Sequence, residues 1–461
     1  MTSTTREDAA HTADAGQFAH WQRTFWTIAS GQTVSIIGSS AVQFALIWWL
    51  ASETASPLVM GAAGLVAFLP MALLSPVAGV MADRHERKRV CIAADMTNGL
   101  LAVLYAVVFL LVQPPVWSVL VILLLRGSIS TFQQPAFQAM TPQYVPADGL
   151  VRANGWLQVI ISASNILGPV AGAALYAAFP LWVVLLSDLV GAVFACSLMA
   201  VAHVPPLARP SAPAAAASAS PAEPPQAGFL TQLREGVDVY RSDPALLLVL
   251  VVSMVCCVFF LPLSSFYPLM TSSYFALDAW HGSVVEMAFA IGMLVAATLF
   301  GSVVKVRRHL LVSLEGLLGI GVTCVVCGVI PPTAAGWVVF AVVCGLMGAF
   351  GNVNNVPFTT YLQTTVAPER LGRAFSLMTI ASAIAMPVGL AVAGPVAQAV
   401  GVAAWFLVSG VAMTAASLVG IVWLARIERR HPAGPAPASD APTPVAPDDD
   451  HAKRSARETA P

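Results

Sequence analysis

Long apolar runs dominate the sequence, and each is about the length needed to cross a bilayer. A membrane-spanning helix needs about 20 apolar residues, and the chain contains twelve windows of that size. They lie at about 25–51, 57–81, 90–112, 116–138, 155–178, 182–203, 246–270, 283–303, 310–330, 336–358, 375–399 and 402–425. The runs are continuous rather than alternating, so they predict helices and not barrel strands. We therefore expect an all-α membrane protein with twelve transmembrane helices.

Charged residues are too few to cover the surface of a soluble protein of this length. Asp, Glu, Lys and Arg make up 10% of the 461 residues, whereas about a quarter is usual in soluble chains. This composition excludes a soluble enzyme and a disordered scaffold. The start of the chain is polar and lacks a basic stretch before an apolar core, so we expect no cleaved signal peptide.

The basic residues are distributed unevenly among the predicted loops. Twelve spans place both termini on one side of the membrane, and all but one of the 22 Lys and Arg residues fall in the termini and loops of that side. The exception, Arg126, lies within the fourth span. Because basic loops stay in the cytoplasm, we expect both termini to be cytoplasmic.

The spans fall into two groups of six, separated by a polar stretch rich in proline and alanine. The predicted segments are a disordered N-terminus at 1–20, a six-helix bundle at 21–204, a cytoplasmic linker with an amphipathic segment at 205–243, a second six-helix bundle at 244–427 and a disordered tail at 428–461. The halves repeat at a constant offset, which pairs Gly79 with Gly301 and Pro135 with Pro357. Parallel repeats of this kind are typical of transporters, whose binding site lies between the halves near the midplane.

The most specific motif lies between the second and third spans. It reads Gly79-Val-Met-Ala-Asp83-Arg84-His-Glu-Arg87-Lys88. Asp83, at a helix end, can accept hydrogen bonds from backbone amides and from neighbouring guanidinium groups, so this loop could form a latch that breaks and re-forms. The segment resembles the signature loop of the major facilitator superfamily, G-x-x-x-D-R-x-x-R-K, with Glu86 in place of the usual glycine.

A second motif lies in the fifth span, where Gly168-Pro169-Val-Ala-Gly172 resembles the G-P-x-x-G element of the antiporter branch of this superfamily. Small residues let helices approach closely, and proline bends the helix axis. Other segments, including LREGVDVYRSDPALLLVL and VAPERLGRAFSL, are similar to the macrolide-efflux and enterobactin-exporter subgroup. The resemblance implies the twelve-helix fold, alternating access and export by a monomer in the bacterial inner membrane, and it leaves the substrate open.

Ionisable residues within membrane spans are costly, and they are functional candidates by default. The candidates for proton or cation coupling are Asp95, Arg126, Asp188, Glu286 and Glu315. An apolar environment favours the protonated form of a carboxylate, which can then carry a proton, whereas an arginine stays charged. We expect Asp95 and Asp188 to be the coupling sites and Arg126 to tune them. The alternative is a structural pair between helices.

Uncharged polar residues form stripes at helical spacing on several spans. The candidates for a substrate cavity are Gln32 and Gln43 of the first span, which share a stripe with Ser35 and Ser39, Gln158 and Asn165 of the fifth, and Asn354 and Asn355 of the tenth. Residues at these spacings share a helix face, and polar faces avoid lipid. Together with aromatic residues and methionines, they would suit a large amphipathic ligand. The alternative is hydrogen bonding between helices.

The sequence leaves three functions open. The first is a secondary active exporter of amphipathic, drug-like or macrolide-like small molecules that works by alternating access and proton antiport. The second is export of a siderophore, or flipping of a lipid-like molecule, by the same fold. The third is a membrane sensor that does not transport.

Enzymatic chemistry is not expected from this sequence. It contains neither the G-x-x-x-x-G-K-[ST] motif of a nucleotide-driven pump nor the H-E-x-x-H motif of a metalloprotease, and no polar region is long enough for a catalytic domain. We therefore expect no catalytic residues, no cofactor, no bound metal and no nucleic-acid partner. The expected partners are the lipid bilayer, the amphipathic substrate and protons.

Overall fold

The protein is a bundle of long helices, seen in a computed structural model that describes residues 21–146, 149–202, 204, 236–302 and 306–430. Within these residues, twelve helices are long and apolar enough to cross a membrane, and no strand is present. The helices are α1 (Trp21–Thr54), α2 (Pro57–Arg84), α3 (Arg87–Leu111), α4 (Val116–Tyr144), α5 (Leu150–Ala178), α6 (Leu181–Val201), α7 (Pro244–Leu269), α8 (Ala279–Ser302), α9 (His309–Val329), α10 (Ala334–Thr365), α11 (Pro368–Val400) and α12 (Val402–Arg430). The prediction of an all-α fold with twelve spans is confirmed.

Most helices extend beyond the apolar windows that predict them. Helix α1 has 34 residues and α11 has 33, more than the roughly 20 that a bilayer requires. Helix α12 continues to Arg430, past the predicted end of the second bundle at 427, and its last turn carries two arginines that interact favourably with the helix dipole. The predicted N-terminus, nearly all of the linker and the tail after Arg430 lie outside the described residues.

The described end of the linker packs against the second half of the chain. Residues 236–241 are helical, and the Tyr240 hydroxyl donates a hydrogen bond to the carbonyl of Ala374 on α11, at 3.2 Å. A Cβ atom on Gly236 would lie 3.0 Å from the carbonyl oxygen of Arg373 on the same helix. This part of the predicted amphipathic segment is therefore bound to α11.

The two halves share one packing plan. In the first half α1 contacts α5 and α6, α2 contacts α4, and α3 contacts α4 and α6. The same pairs recur six helices later: α7 with α11 and α12, α8 with α10, and α9 with α10 and α12. Between the halves, α2 packs against α11, and α5 packs against α8.

The two ends of the bundle differ in how closely the halves approach. We call the end that contains Trp21 and Arg430 the basic face, and the other end, with the α1–α2 and α11–α12 turns, the opposite face. The hydrophobic cluster around Phe25 and Tyr144 at the basic face contains residues of the first half only. The largest cluster includes residues of both halves.

Three contacts between the halves, all near the opposite face, form what we call the far seam. The Ser56 hydroxyl, at the start of α2, donates a hydrogen bond to Gln398 Oε1, near the end of α11, at 2.8 Å. A Cβ atom on Gly61 of α2 would lie 3.1 Å from the Cα atom of Gly394 on α11. The Trp48 ring of α1 packs directly on Gly282 of α8. The structure is therefore closed at the opposite face.

Candidate functional site

A row of polar side chains runs through the interior of the first half along one face of α1. Gln32, Ser35 and Ser39 follow one another at helical spacing and so share that face. Their partners are two buried carboxylates, Asp95 on α3 and Asp188 on α6. Helix α1 therefore binds both acidic residues that the sequence singles out for coupling.

Asp95 is bound by uncharged groups. Its side chain is only 3% exposed, and it accepts hydrogen bonds from Gln32 Nε2 at 2.8 Å, Ser35 Oγ at 2.9 Å and Gln133 Nε2 at 2.8 Å. Among the described residues, no cation forms a salt bridge with Asp95. The three donors stabilise a charged carboxylate, but burial without a counter-charge opposes it. Asp95 is therefore suited to exist in both protonation states.

Asp188, in contrast, has a cationic partner. It is 1% exposed and forms an ion pair with Nη1 of Arg126, which projects from α4 and is itself 6% exposed. Ser39 Oγ donates to Asp188 at 2.6 Å, and Arg126 Nη2 donates to the Ser39 carbonyl at 3.3 Å. Arg126 thus supplies a positive charge in direct contact with Asp188. The two carboxylates therefore differ in how their charge is balanced.

Gln133 is a site residue that the sequence reasoning missed. It lies seven residues after Arg126 on α4, which places the two residues on the same helix face two turns apart. The seven-residue spacing could have identified Gln133 from the sequence, because a polar residue on the same helix face as a buried arginine must also face away from lipid.

The other candidates for coupling and for the cavity are spread over both halves. Asn354 Oδ1 accepts a hydrogen bond from Ser313 Oγ of α9 at 2.7 Å. Gln43 on α1 and Glu286 on α8 are half-buried, whereas Gln158 and Asn165 on α5, Glu315 on α9 and Asn355 on α10 are exposed. The structure therefore brings Asp95, Asp188, Arg126 and Gln32 together and leaves Glu286 and Glu315 apart from them.

The glycines of the fifth-span motif lie where α5 crosses α1. A Cβ atom on Gly172 would lie 2.6 Å from the carbonyl oxygen of Ala41, and one on Gly168 would collide with Ser40. Pro169 lies between them inside the helix. The motif thus lets α5 pack closely against the helix that binds both carboxylates.

The loop motif between α2 and α3 is described only in part. The surroundings of Gly79 and the side chains of Asp83 and Arg84 lie outside what the structure describes. Arg87 Nη1 donates a hydrogen bond to the carbonyl of Ala139 on α4, at 2.7 Å. Lys88 Nζ donates to the carbonyls of Ala200 and Ala202 at the end of α6, at 3.1 and 2.9 Å. These two basic residues therefore bind carbonyl groups near the basic face, where a cation stabilises a helix C-terminus.

Comparisons with known proteins agree with this architecture. The sequence profile of the Major Facilitator Superfamily matches residues 28–343 and 280–459. Macrolide efflux protein A of Streptococcus pyogenes is 32% identical over 408 residues, which cover 87% of this chain and 96% of that protein. Multidrug efflux pump Tap of Mycolicibacterium fortuitum is 25% identical over 410 residues, covering 86% and 92% of the two chains.

A solved structure shows the same fold. A bacterial homologue of the iron transporter ferroportin, in an inward-facing state, aligns with a TM-score of 0.63 at 19% identity, covering 88% of this chain and 99% of that one. At this identity the likeness concerns the fold alone. The chain belongs to the major facilitator superfamily, in the subgroup that contains the macrolide efflux proteins, and is a multi-pass membrane transporter rather than an enzyme.

Proposed function

We propose that the protein is a secondary active exporter of amphipathic small molecules, including macrolide-like compounds, driven by proton antiport. The observation that carries the proposal is the pair of buried carboxylates, Asp95 on α3 and Asp188 on α6, that α1 binds; Asp188 is neutralised by Arg126, and Asp95 is bound only by uncharged groups. The names of the relatives favour drug efflux over export of a siderophore or flipping of a lipid-like molecule.

The orientation of the protein in the membrane follows from the charge of the loops. Since basic loops stay in the cytoplasm, the basic face is cytoplasmic, both termini lie on that side, and the far seam closes the outer end. The described conformation is then inward-facing and receives its substrate from the cytoplasm of a bacterial cell, across the inner membrane. The protein functions as a monomer.

Protonation of Asp95 supplies the coupling step. The charged carboxylate holds Gln32 and Ser35 of α1 and Gln133 of α4 through charge-assisted hydrogen bonds, and such bonds weaken when the acceptor becomes neutral. Proton binding therefore changes the free energy of the contact between α1, α3 and α4, and so shifts the balance between inward-facing and outward-facing states. A proton taken up from outside and released to the cytoplasm accompanies one outward step of the substrate.

Asp95→Asn should separate transport from its driving force. The amide keeps the size and most of the polarity of the side chain but cannot bind a proton. We expect exchange of substrate across proteoliposomes without a gradient to persist, while accumulation driven by a pH gradient falls to the level seen without a gradient, because the amide carries no proton. Glu428→Gln, which alters an exposed carboxylate near the end of α12, should leave both measurements unchanged. Undiminished gradient-driven accumulation by Asp95→Asn would refute the coupling role.

Joining the halves across the far seam should stop transport. Ser56 and Gln398 touch through their side chains, so cysteines at both positions can be linked by a short bis-methanethiosulfonate reagent, which forms disulfide bonds that a thiol reductant cleaves. We expect the double variant to lose substrate extrusion after linking and to regain it after reduction, because alternating access requires the seam to open. Each single cysteine variant treated in the same way is the control, and continued extrusion by the linked protein would contradict alternating access through this seam.

A further inference from the structure

A carboxylate without an ionic partner lies on the second half of the protein, close to the far seam. Glu286 is half-buried on α8. Among the described residues, no cation forms a salt bridge with it and no hydrogen-bond donor binds it. An acidic side chain within a membrane span normally pairs with a partner or serves a ligand. The hydrogen bonds by which α1 binds Asp95 and Asp188 do not include Glu286.

The position of Glu286 in depth follows from its neighbours on α8 and α1. Gly282 precedes it by one turn on the same face of α8, and Gly282 contacts Trp48 of α1 across the seam. Phe44 stacks on Trp48 with ring centroids 6.0 Å apart. Because α1 runs towards the opposite face and α8 runs away from it, Phe44 and Glu286 both lie one turn deeper than the contact between Trp48 and Gly282.

Aromatic rings also border Glu286 from its own half. Phe289, one turn deeper on α8, has its ring centroid 6.3 Å from that of Phe260 and 6.2 Å from that of Tyr267, both on α7. The Tyr267 hydroxyl donates its hydrogen bond to Met347 Sδ at 3.2 Å and not to Glu286. Rings of α1, α7 and α8 therefore lie near the depth of the carboxylate, and none of them neutralises it.

We propose that Glu286 and these rings form a subsite for an organic cation with an apolar body, such as a protonated lipophilic amine, beside the far seam between the halves. This inference rests on the proposed export function and names a substrate class for it. A cation attracts both the carboxylate and the faces of aromatic rings, and both attractions grow where water is excluded. An anion is repelled, and a neutral molecule leaves the carboxylate without a partner.

The location of the subsite links binding to the transport cycle. In the described state the rings of α1 lie against α8, so a bound cation touches both halves. When the seam opens, Phe44 and Trp48 move away from Glu286, and the cation loses part of its aromatic wall while water enters. The subsite thus binds tightly when it faces the cytoplasm and weakly when it faces outward, as export requires.

The test is equilibrium binding to the purified full-length protein, without any gradient. The probes are tetraphenylphosphonium, a permanent lipophilic cation, and triphenylphosphine oxide, a neutral molecule of similar shape. Glu286→Gln should weaken binding of the cation by about tenfold or more, as expected for the loss of one partner of a desolvated charge pair, and leave binding of the neutral probe within about twofold. Glu286→Asp should keep the preference for the cation, and Glu428→Gln, at an exposed carboxylate near the end of α12, should change neither affinity.

Three outcomes would overturn the subsite. They are unchanged binding of tetraphenylphosphonium by Glu286→Gln, equal losses for the cation and the neutral probe, and absence of saturable binding of the cation to the unsubstituted protein. Failure of proton-driven extrusion would count against the proposed function instead. The two results are separable because the binding measurement involves no gradient and no transport.

Discussion

Asp188→Asn should destabilise the protein by about 3–5 kcal/mol, the usual effect of removing one partner of a buried ion pair. Arg126 is 6% exposed and reaches no other carboxylate among the described residues, so the substitution leaves a buried positive charge without compensation. The amide retains the shape of the side chain and can still accept a hydrogen bond from Ser39. The loss of stability therefore results from the missing negative charge and not from a change of shape. It should appear as a lower melting temperature and a smaller monodisperse fraction in detergent.

Removing both charges provides the matched control. Replacing a buried ion pair by apolar residues of similar volume is often neutral or stabilising, so Arg126→Met combined with Asp188→Leu should recover most of the stability that Asp188→Asn loses. Ser39→Ala removes one hydrogen bond to the pair and should have a smaller effect, about 1–2 kcal/mol. A double variant that is less stable than Asp188→Asn would contradict the charge explanation.

Gly292→Ala should disrupt the packing of α8 against α10. A Cβ atom on Gly292 would occupy the space of the Gly345 carbonyl oxygen, which belongs to the helix backbone and cannot rotate away. Overpacking of this kind typically lowers the free energy of unfolding by about 1–3 kcal/mol. Because the neighbouring atom belongs to a rigid backbone, we expect a value at the upper end of this range. The expected result is a lower thermal midpoint in detergent together with weaker transport, since α8 also contacts α5 of the other half.

Gly351, a glycine on α10 rather than on α8, provides the control for this change. A Cβ atom on Gly351 would meet nothing within 4 Å. Because alanine is favoured over glycine inside a helix by up to about 1 kcal/mol, Gly351→Ala should be neutral or slightly stabilising. If the two substitutions had the same effect, the close approach of α8 and α10 would not be the cause.

The helices could be predicted from the sequence because the bilayer imposes a length and a polarity on each span. The ends of the helices could not, since polar residues beyond an apolar run continue the helix only when neighbours or caps support it. Helix α12, which runs three residues past the predicted boundary at 427, illustrates this. The recurring helix pairs of the two halves follow from the repeat, whereas the degree of closure at each face depends on contacts between distant residues.

The ionisable members of the site could be identified from the sequence, but their partners could not. Asp95, Arg126 and Asp188 stand out because charges are rare within spans. Which of these residues form a pair depends on how each helix is rotated about its axis. The periodicity of a sequence shows which residues share a helix face, but it does not show which helix packs against that face. For this reason the polar stripe of α1 identifies Gln32 without showing that its amide binds Asp95, and Gln133 was missed.

The far seam holds the halves together through glycine packing, an indole ring and one amide oxygen, and no ion pair between described residues crosses it. Attraction between exposed charges is screened by salt, within about 10 Å at 0.1 M ionic strength, whereas van der Waals packing is not. Closure of the opposite face should therefore be insensitive to ionic strength. A bacterium could move between dilute and saline environments without altering the resting state of this transporter.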